Sequence, residues 1–348
     1  MKESAVILCE GYFDRTDGKT THGLVRYSER YDIKGVIDST HVGEDAGTIL
    51  EGKPKGIPFY ASLHDAMSKN GKISTMIIGV ATEGGVLPES MRGTIKEAMT
   101  HRLNIVSGLH TFLSEDREFS ELAHQNNVHI IDVRKPPVDH HFFSGKIDEV
   151  SAFKIAVLGT DCVIGKRTTA INLTKEMNEH GVKTIFIGTG QTAWMQGAQY
   201  SIVFDSILND YVTGEIEHVV HSAFVNEKPD AIVIEGQGAI LHPAYPGGYE
   251  IISGAHPDAI IVQHSPKRKF LDGFQYPIPP LKRTIEVLNL LSDGKVAAIT
   301  LNHEHMNEKE ISQTIKEYEN EFKIPCFDPL WHGNKKIIEM FLNKLKKK

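Results

Sequence analysis

The chain has 348 residues, of which 40% are hydrophobic and 24% are charged, and its formal net charge is −7. This length allows two domains of roughly 150 residues each. The acidic balance argues against general nucleic-acid binding, because no excess of cations is present to displace the counterions of a phosphate backbone. The lysines at the C-terminus, Lys344 and 346–348, are predicted to be a solvated helix end.

The cysteines and the apolar runs indicate a cytoplasmic protein. Cys9, Cys162 and Cys326 are too few and too scattered for a disulfide framework or a zinc site, which points to a reducing compartment. The apolar run near the N-terminus is too short for a signal peptide, and no 18 apolar residues run together. We therefore expect no membrane partner, a small-molecule ligand and a possible homo-oligomer.

The first part of the chain alternates between strand-like and helix-like segments. The predicted strands are 5–9, 33–38, 75–80, 104–107 and 129–133, and the predicted helices are 62–70, 89–101 and 115–126. Strands separated by helix-length segments indicate a parallel sheet covered on both faces. We predict a Rossmann-like α/β domain over residues 1–140, but the glycine fingerprint for nicotinamide binding is absent.

The first two strands are predicted to be joined by a polar, glycine-containing connection over residues 17–27. Lys19, His22 and Arg26 of this connection are candidates to bind an anionic substrate at the strand ends. Solvated loop charges are the alternative explanation for the same residues.

Pro136 and Pro137 stop regular structure, and the polar stretch that follows them to Glu149 is predicted to be a linker. A fresh apolar strand then opens a second α/β domain over residues 151–348.

A phosphate-binding loop is predicted at the start of the second domain. The apolar run 153–158 enters the turn 159–166, GTDCVIGK, and a helical pattern follows it. Glycines let backbone N–H groups converge on an anion, the helix offers free N–H groups, and a lysine adds positive charge. The candidate residues for binding a phosphate-bearing cofactor are Gly159, Thr160, Asp161, Gly165, Lys166, Arg167, Thr168 and Thr169.

The loop departs from the usual P-loop pattern in two places. Five residues instead of four separate Gly159 from Gly165, and Arg167 follows Lys166 where a Ser or Thr normally holds magnesium. Phosphate binding is thus better supported than phosphoryl transfer. The alternative is an ordinary glycine-rich turn between a strand and a helix.

Further candidates follow the later strands of this domain. The stretch 188–197 after strand 184–187 is rich in small and amide residues and is predicted to be a ligand-facing loop, with Gln191 as a substrate ligand. Glu235, at the end of strand 230–234, could hold magnesium or act as a base, and Gln237 lies in the turn after it. His242, in the predicted polar loop 242–254, is a candidate acid or base, with a structural role as the alternative.

Cations and histidines mark the end of the domain. Lys267 and Arg268, after strand 259–263, could bind a phosphate or a substrate carboxylate. The predicted elements that complete the domain are helix 281–291, strand 296–301 and helix 308–322. The triplet 303–305, His-Glu-His, could suggest a metal, but alternating neighbours on a loop seldom converge, and we predict no metal-binding residues.

Several of these stretches together resemble a known family. They are GKTTHGLVRY, GTDCVIGKRTT, GTGQTAWMQG, IEGQGAILHP, PDAIIVQHSPKRK and YPIPPL. They look like a bacterial and archaeal P-loop family that was long known only as a domain of unknown function and is now associated with D-glutamate N-acetyltransferase. The second domain is also similar to dethiobiotin synthetase, whose loop has five residues between the glycines.

The resemblance implies transfer of an acetyl group from acetyl-CoA to the amine of an acidic amino acid, with D-glutamate as the expected acceptor. In this interpretation Glu235 or His242 is the base, and the loop holds the diphosphate of CoA. The alternative is a dethiobiotin synthetase-like ligase that uses ATP and magnesium, with Asp161 and Glu235 around the metal. A nucleotide-binding regulator that catalyses no reaction is a third interpretation, but it assigns no function to the polar loops.

Overall fold

The computed structural model describes residues 2–345, so Met1 and the predicted lysine tail at 346–348 lie outside the described residues. By internal contacts the chain divides into two compact units. The first comprises the described residues up to Pro137 together with Gly190–Ala198, and the second comprises Val138–Thr189 and the residues from Gln199 onward. No helix within residues 2–345 is long and apolar enough to cross a membrane.

A parallel sheet of six strands forms the centre of the first unit, in the order β3-β2-β1-β4-β5-β6. The strands are β1 (Glu3–Leu8), β2 (Tyr31–Ile37), β3 (Phe59–Tyr60), β4 (Thr75–Ile78), β5 (Asn104–Ser107) and β6 (Ile130–Asp132). The central strands β1 and β4 are almost entirely buried, because helices lie between successive strands of the chain and cover the sheet.

The helices of this unit are α1 (Lys19–Arg26), α2 (Ala46–Glu51), α3 (Leu63–Lys69), α4 (Arg92–Thr100), α5 (Arg117–Asn126) and α7 (Gln191–Gln196). Side chains cap several of them. Ser62 accepts from the backbone N–H of Asp65 at the start of α3, and Asp116 accepts from those of Glu118 and Phe119 at the start of α5.

The connection predicted over residues 17–27 does lie between β1 and β2, and most of it forms a helix, α1. Gly23 suggested a loop, yet it lies inside the helix and its carbonyl accepts a hydrogen bond from Gln196 Nε2 at 2.7 Å. Leu24 and Val25 are buried in the core of the unit. Tertiary burial of one helical face therefore overrides the low helix propensity of glycine.

The ligand-facing loop predicted over residues 188–197 is also mostly a helix, α7, which groups with the first unit. Its Met195 belongs to the first unit's core, and its Thr192 hydroxyl lies 3.3 Å from that of Thr20. Gln191, a predicted substrate ligand, is the first residue of α7 and is only 8% exposed. The chain thus returns to the first unit for one short helix.

A parallel sheet of seven strands forms the centre of the second unit, in the order β13-β12-β11-β7-β10-β8-β9. The strands are β7 (Phe153–Gly159), β8 (Thr184–Gly188), β9 (Tyr200–Ser201), β10 (Ala231–Glu235), β11 (Ala259–His264), β12 (Val296–Leu301) and β13 (Cys326–Phe327). Alternate residues of β7 enter different cores: Ile155 and Val157 pack in one, and Ala156 and Leu158 in the other. Both faces of the sheet are therefore buried, and the prediction of two parallel-sheet α/β domains is confirmed.

The helices of the second unit are α6 (Lys166–Glu179), α8 (Asn209–Glu227), α9 (Tyr249–Ala255), α10 (Leu281–Leu291), α11 (Glu308–Phe322) and α12 (Lys335–Leu345). The stretch 242–254, predicted to be a polar loop, contains most of α9. The burial of Ile251 and Ile252 explains this helix, since both pack into the core of the unit.

The segment after the double proline, predicted to be a linker, is fixed to α8 by two buried glutamates. Glu217 is 2% exposed, and its carboxylate accepts from Ser144 N at 2.6 Å, Ser144 Oγ at 2.8 Å and Ile147 N at 3.1 Å. Glu215 accepts from the backbone N–H of His141 at 2.7 Å. Because these side chains replace backbone partners for an irregular segment, the segment is part of the second unit.

We predict that Glu217→Gln destabilises the second unit at pH 7. Burial raises the pKa of Glu217, but hydrogen bonds from Ser144, Ile147 and Gly145 outweigh burial and hold it below the ordinary value of 4.5. The ionised group therefore stabilises the fold above the unfolded pKa, and this stability is lost as pH falls through the lower folded pKa. Losing charged hydrogen bonds is expected to cost about 1–3 kcal/mol.

Thermal denaturation at pH 7 and at pH 4 and below checks this prediction, with the exposed Glu321→Gln as the matched control. The difference in melting temperature between Glu217→Gln and the wild type should become smaller as pH falls. A difference that is the same at every pH would contradict the prediction that an ionised Glu217 stabilises the unit.

Candidate phosphate-binding site

The predicted phosphate loop lies at the carboxyl end of β7, between β10 and β11, and leads into α6. Gly165 has φ +102°, a left-handed conformation that favours glycine, and it is the N-cap of the helix. The Asn302 side-chain amide donates to the Ile164 carbonyl at 3.0 Å and so braces the loop from the end of β12. The free N–H groups of the first turn of α6 therefore lie at the loop, as an anion site requires.

Lys166, the first residue of α6, folds back over this loop. Its Nζ donates to the Asp161 carbonyl at 2.6 Å, and the residue is 7% exposed. Burial lowers the pKa of Lys166, while the Coulombic effect of Cys162, Asp161 and Glu235 acts in the opposite direction. A phosphate would satisfy this desolvated ammonium better than a single carbonyl does.

Asp161 is a fully buried carboxylate at the centre of the loop. Its Oδ1 accepts from Cys162 N at 2.7 Å, and its Oδ2 accepts from Arg268 Nη1 and Asp272 N, both at 3.0 Å. Arg268 also donates to the Cys162 carbonyl at 2.9 Å and to Glu304 at 2.8 Å. Arg268, predicted to bind substrate, is thus engaged in holding the phosphate loop.

The residue after the lysine pairs with the acid at the end of β10. Arg167 Nη1 lies 3.8 Å from Glu235 Oε1, and Thr189 N donates to Glu235 Oε2 at 3.0 Å. Glu235 is 3% exposed, and burial raises its pKa although Arg167, Thr189 and Lys166 lower it. A guanidinium and a carboxylate therefore face each other where a magnesium nucleotide site would place a hydroxyl and an acid.

The threonines of the loop have different partners. The Thr169 hydroxyl donates to Gln263 Oε1 at 2.7 Å, and Thr300 donates to the same oxygen at 2.6 Å. The Thr160 hydroxyl lies 2.9 Å from His264 Nδ1, and burial lowers the pKa of His264 to about 4, so that this histidine is neutral at pH 7. Thr168 is half-buried in the first turn of α6.

The hydrogen bonds of His242, the predicted acid or base, indicate which of its ring nitrogens carries the proton. Its Nδ1 accepts from the backbone N–H groups of Ala244 at 3.1 Å and Tyr245 at 2.9 Å, which assigns the ring proton to Nε2. Burial lowers the pKa of His242, so the ring is neutral. Nε2 is buried, has no hydrogen-bond partner among the described residues, and lies 3.6 Å from Asp161 Oδ1. His242 therefore offers a donor to the loop.

Asp161, Cys162 and His242 form the one group within residues 2–345 whose three potential donor atoms lie within 4.8 Å of one another. Both oxygens of Asp161 already accept hydrogen bonds, Oδ1 from Cys162 N and Oδ2 from Arg268 Nη1 and Asp272 N. The hydrogen bonds favour a structural cluster over a metal site. The expectation that the protein uses no metal ligands remains a prediction.

The other predicted substrate ligands are divided between the two units. In the second, Gln237 donates to the Thr189 hydroxyl at 3.1 Å, and Lys267 pairs with Glu310 at 2.5 Å on the surface. In the first, Lys19, His22 and Arg26 all lie on α1. His22 Nε2 is bonded to the Phe13 carbonyl at 2.6 Å, and Arg26 Nε lies 3.2 Å from Glu51. Their binding of substrate remains a prediction.

Sequence reasoning did not find the residues that brace the loop from neighbouring strands. Gln263, Asn302 and Glu304 each contact the loop or its partners from the ends of β11 and β12. Their position immediately at or after the carboxyl end of an apolar run is the signal that could have found them, because these ends meet at one edge of a parallel sheet.

The strand, loop, buried lysine and helix define the second unit as a P-loop α/β domain. A family profile described as "Domain of unknown function (DUF1611_C) P-loop domain" matches residues 141–338, and one described as "Domain of unknown function (DUF1611_N) Rossmann-like domain" matches residues 39–136. The chain belongs to the DUF1611 family.

Relatives with a named activity cover most of the chain. It is 29% identical over 285 residues to a D-glutamate N-acetyltransferase of Tritonibacter scottomollicae, covering 80% of this chain and 83% of the relative. The chain is also 30% identical over 272 residues to a D-glutamate N-acetyltransferase of a Pseudoalteromonas species, and this match covers 76% of this chain and 80% of the relative. The crystal structure of a DUF1611 family protein from Anabaena variabilis is similar over 98% of this chain and 100% of that one, with 27% identity and a TM-score of 0.90.

We predict that Lys166→Ala weakens binding of a diphosphate ligand while the fold persists. Hydrogen bonds from an ammonium to a phosphate are worth about 1.5–3 kcal/mol, which corresponds to a roughly ten- to hundredfold change in affinity. Calorimetry with CoA and with ADP measures the effect, and Lys175→Ala, an exposed lysine of the same helix, is the control. Unchanged affinity for both ligands would make the loop a purely structural turn.

Proposed function

We propose that this protein is an N-acetyltransferase that moves the acetyl group of acetyl-CoA to the amine of an acidic amino acid, with D-glutamate as the first acceptor to test. The names of two relatives that cover most of the chain support the reaction. The phosphate loop supports a donor that carries a diphosphate, as acetyl-CoA does.

The single observation that carries the choice of CoA over magnesium nucleotide is the Arg167–Glu235 pair. At 3.8 Å, the guanidinium supplies the positive charge beside Glu235 that a magnesium ion would otherwise provide. Thr169, which could have replaced the missing hydroxyl ligand, donates to the buried Gln263 instead. A site that binds a diphosphate without cleaving it requires N–H groups and cations, and the loop offers both.

The proposed reaction requires a base, and Glu235 is the better candidate of the two that we predicted. Burial raises the pKa of its carboxylate, as a base that takes a proton from an ammonium requires. His242 carries its proton on Nε2 and is suited to donate rather than to accept. We assign Lys166 and the loop amides to the diphosphate, and we propose His242 as a donor near the reacting groups.

In this proposal the acceptor's ammonium gives one proton to Glu235, and the resulting amine attacks the thioester carbonyl carbon. A C–N bond forms and the C–S bond breaks, so that the electron pair leaves on sulfur. The second proton of the nitrogen neutralises the thiolate. The products are the N-acetylated amino acid, CoA with a free thiol, and one proton released from Glu235.

The second candidate is ATP-dependent carboxylate activation of the dethiobiotin synthetase type. The observation in its favour is the acid at the end of β10, Glu235, beside the P-loop. Asp161, the other predicted metal neighbour, already accepts hydrogen bonds on both oxygens. This candidate therefore ranks second.

We predict that acetyl transfer proceeds without ATP and in the presence of EDTA, because the Arg167–Glu235 pair replaces the metal. Purified protein would be incubated with acetyl-CoA and D- or L-glutamate, with and without EDTA and ATP. Release of CoA thiol and mass spectrometry of N-acetylglutamate give the readout. Product that forms only when ATP and magnesium are present would overturn the transferase proposal in favour of the ligase.

We predict that Glu235→Gln lowers kcat by about 10²- to 10⁴-fold, the usual contribution of a positioned base, and leaves CoA affinity within a few-fold. The wild-type rate should fall as pH drops through the pKa of Glu235, which burial raises above 4.5, because the base must be ionised. Glu321→Gln on the surface is the control. A variant that keeps the wild-type rate and pH profile would exclude Glu235 as the base.

A further inference from the structure

An aromatic pair lies at the carboxyl edge of the second unit's sheet. His303 follows β12 by two residues, and Trp331 lies in the loop after β13. Their rings are stacked, with centroids 4.0 Å apart and planes 11° from parallel. Trp331 is 39% exposed, and its neighbour Leu330 is 58% exposed. Large apolar side chains that remain this exposed next to a polar site have a surface to offer to a ligand.

A buried carboxylate fixes the pair. Asp328 is 0% exposed, and its Oδ1 accepts from the backbone N–H groups of Leu330 at 2.8 Å and Trp331 at 3.1 Å. Its Oδ2 lies 2.6 Å from His303 Nδ1. The next part of the loop is held by Asn334, which donates to the Glu176 carboxylate of α6 through its backbone at 2.9 Å and its side chain at 2.7 Å. The exposed indole is thus pre-organised.

The pair is connected to the phosphate loop by a short path. Asn302, the neighbour of His303, donates to the Ile164 carbonyl in the loop at 3.0 Å. His303 is the next residue in the chain, and the centroid of its ring lies 4.0 Å from that of Trp331. The aromatic pair therefore lies at the same edge of the sheet as the phosphate loop, and its His303 is the chain neighbour of a residue that braces this loop.

We propose that Trp331, supported from behind by His303, stacks on the adenine ring of the ligand whose diphosphate binds the phosphate loop. This rests on the diphosphate ligand of the proposed function, and it holds for acetyl-CoA and for ATP because both carry adenine. Adenine has a π-face on which an indole can stack, whatever hydrogen-bonding groups lie on the edge of the adenine ring. His303 of the 303–305 triplet is one of the two rings of this pair.

The protein has two tryptophans, which makes the proposal directly measurable. Trp194 lies in the first unit, 4.0 Å from the guanidinium of Arg30, and Trp194→Phe leaves Trp331 as the single indole fluorophore. CoA and ADP should quench the fluorescence of this variant in a saturable way. Inorganic pyrophosphate, which binds the loop without a base, should not quench it.

Trp331→Leu keeps an apolar side chain but removes the π-face. Its affinity for CoA and ADP, measured by calorimetry, should fall roughly ten- to hundredfold, the effect of removing one aromatic stacking partner, while its affinity for pyrophosphate stays unchanged. Leu290→Ala, which removes an exposed leucine of α10 outside this loop, is the control and should bind all three ligands as the wild type does.

The outcomes separate this proposal from the proposed function. Quenching by CoA in a protein that does not acetylate glutamate would support the aromatic pair and count against the transferase. CoA that binds without quenching Trp331, or with equal affinity to Trp331→Leu, would overturn the aromatic site. Failure of both CoA and ADP to bind the wild type would also overturn it. If Trp331→Leu does not fold, the quenching experiment decides alone.

Discussion

The phosphate loop depends on one buried carboxylate, that of Asp161. An isolated ionised carboxylate in a protein interior is strongly unfavourable, so its oxygens must be neutralised and hydrogen-bonded. Arg268 and the N–H groups of Cys162 and Asp272 do this. Arg268 extends the network to Glu304, beyond the end of β12. The loop is consequently tied to two neighbouring strand ends, and Lys166 and His242 are arranged around a fixed centre.

The same topology that serves nucleotide hydrolysis elsewhere can hold a diphosphate without acting on it, because function is decided by the site and not by the fold. For the proposed function the decisive positions are Arg167 and Glu235, which form an ion pair beside the loop. The pair lies in a largely buried environment, where a charge interaction is stronger than on the surface. In the proposed function, this pair takes the place of the metal ion that a nucleotide-hydrolysing site would hold.

The two units are each completed by a segment that local sequence would assign elsewhere. The stretch after the double proline belongs to the second unit because Glu215 and Glu217 of α8 bind its backbone. Helix α7 groups with the first unit, where Gln196 binds the carbonyls of α1. In both places, a side chain forms hydrogen bonds with backbone groups that are distant from it in sequence.

The sequence by itself determined the alternation of strands and helices, the phosphate loop with Lys166, and the acid at the end of β10. These features follow from hydrophobic periodicity and from the spacing of glycine and lysine within a few residues. It predicted α10, α11, β5 and β12 at their observed bounds for the same reason. Only the tertiary structure decided that Arg268 binds Asp161, 107 positions away, that Thr169 and Thr300 share Gln263, and that Nδ1 of His242 accepts backbone hydrogen bonds. Partners of this kind depend on the order of strands in the sheet, which places residues distant in sequence at one edge and leaves no local pattern in the chain.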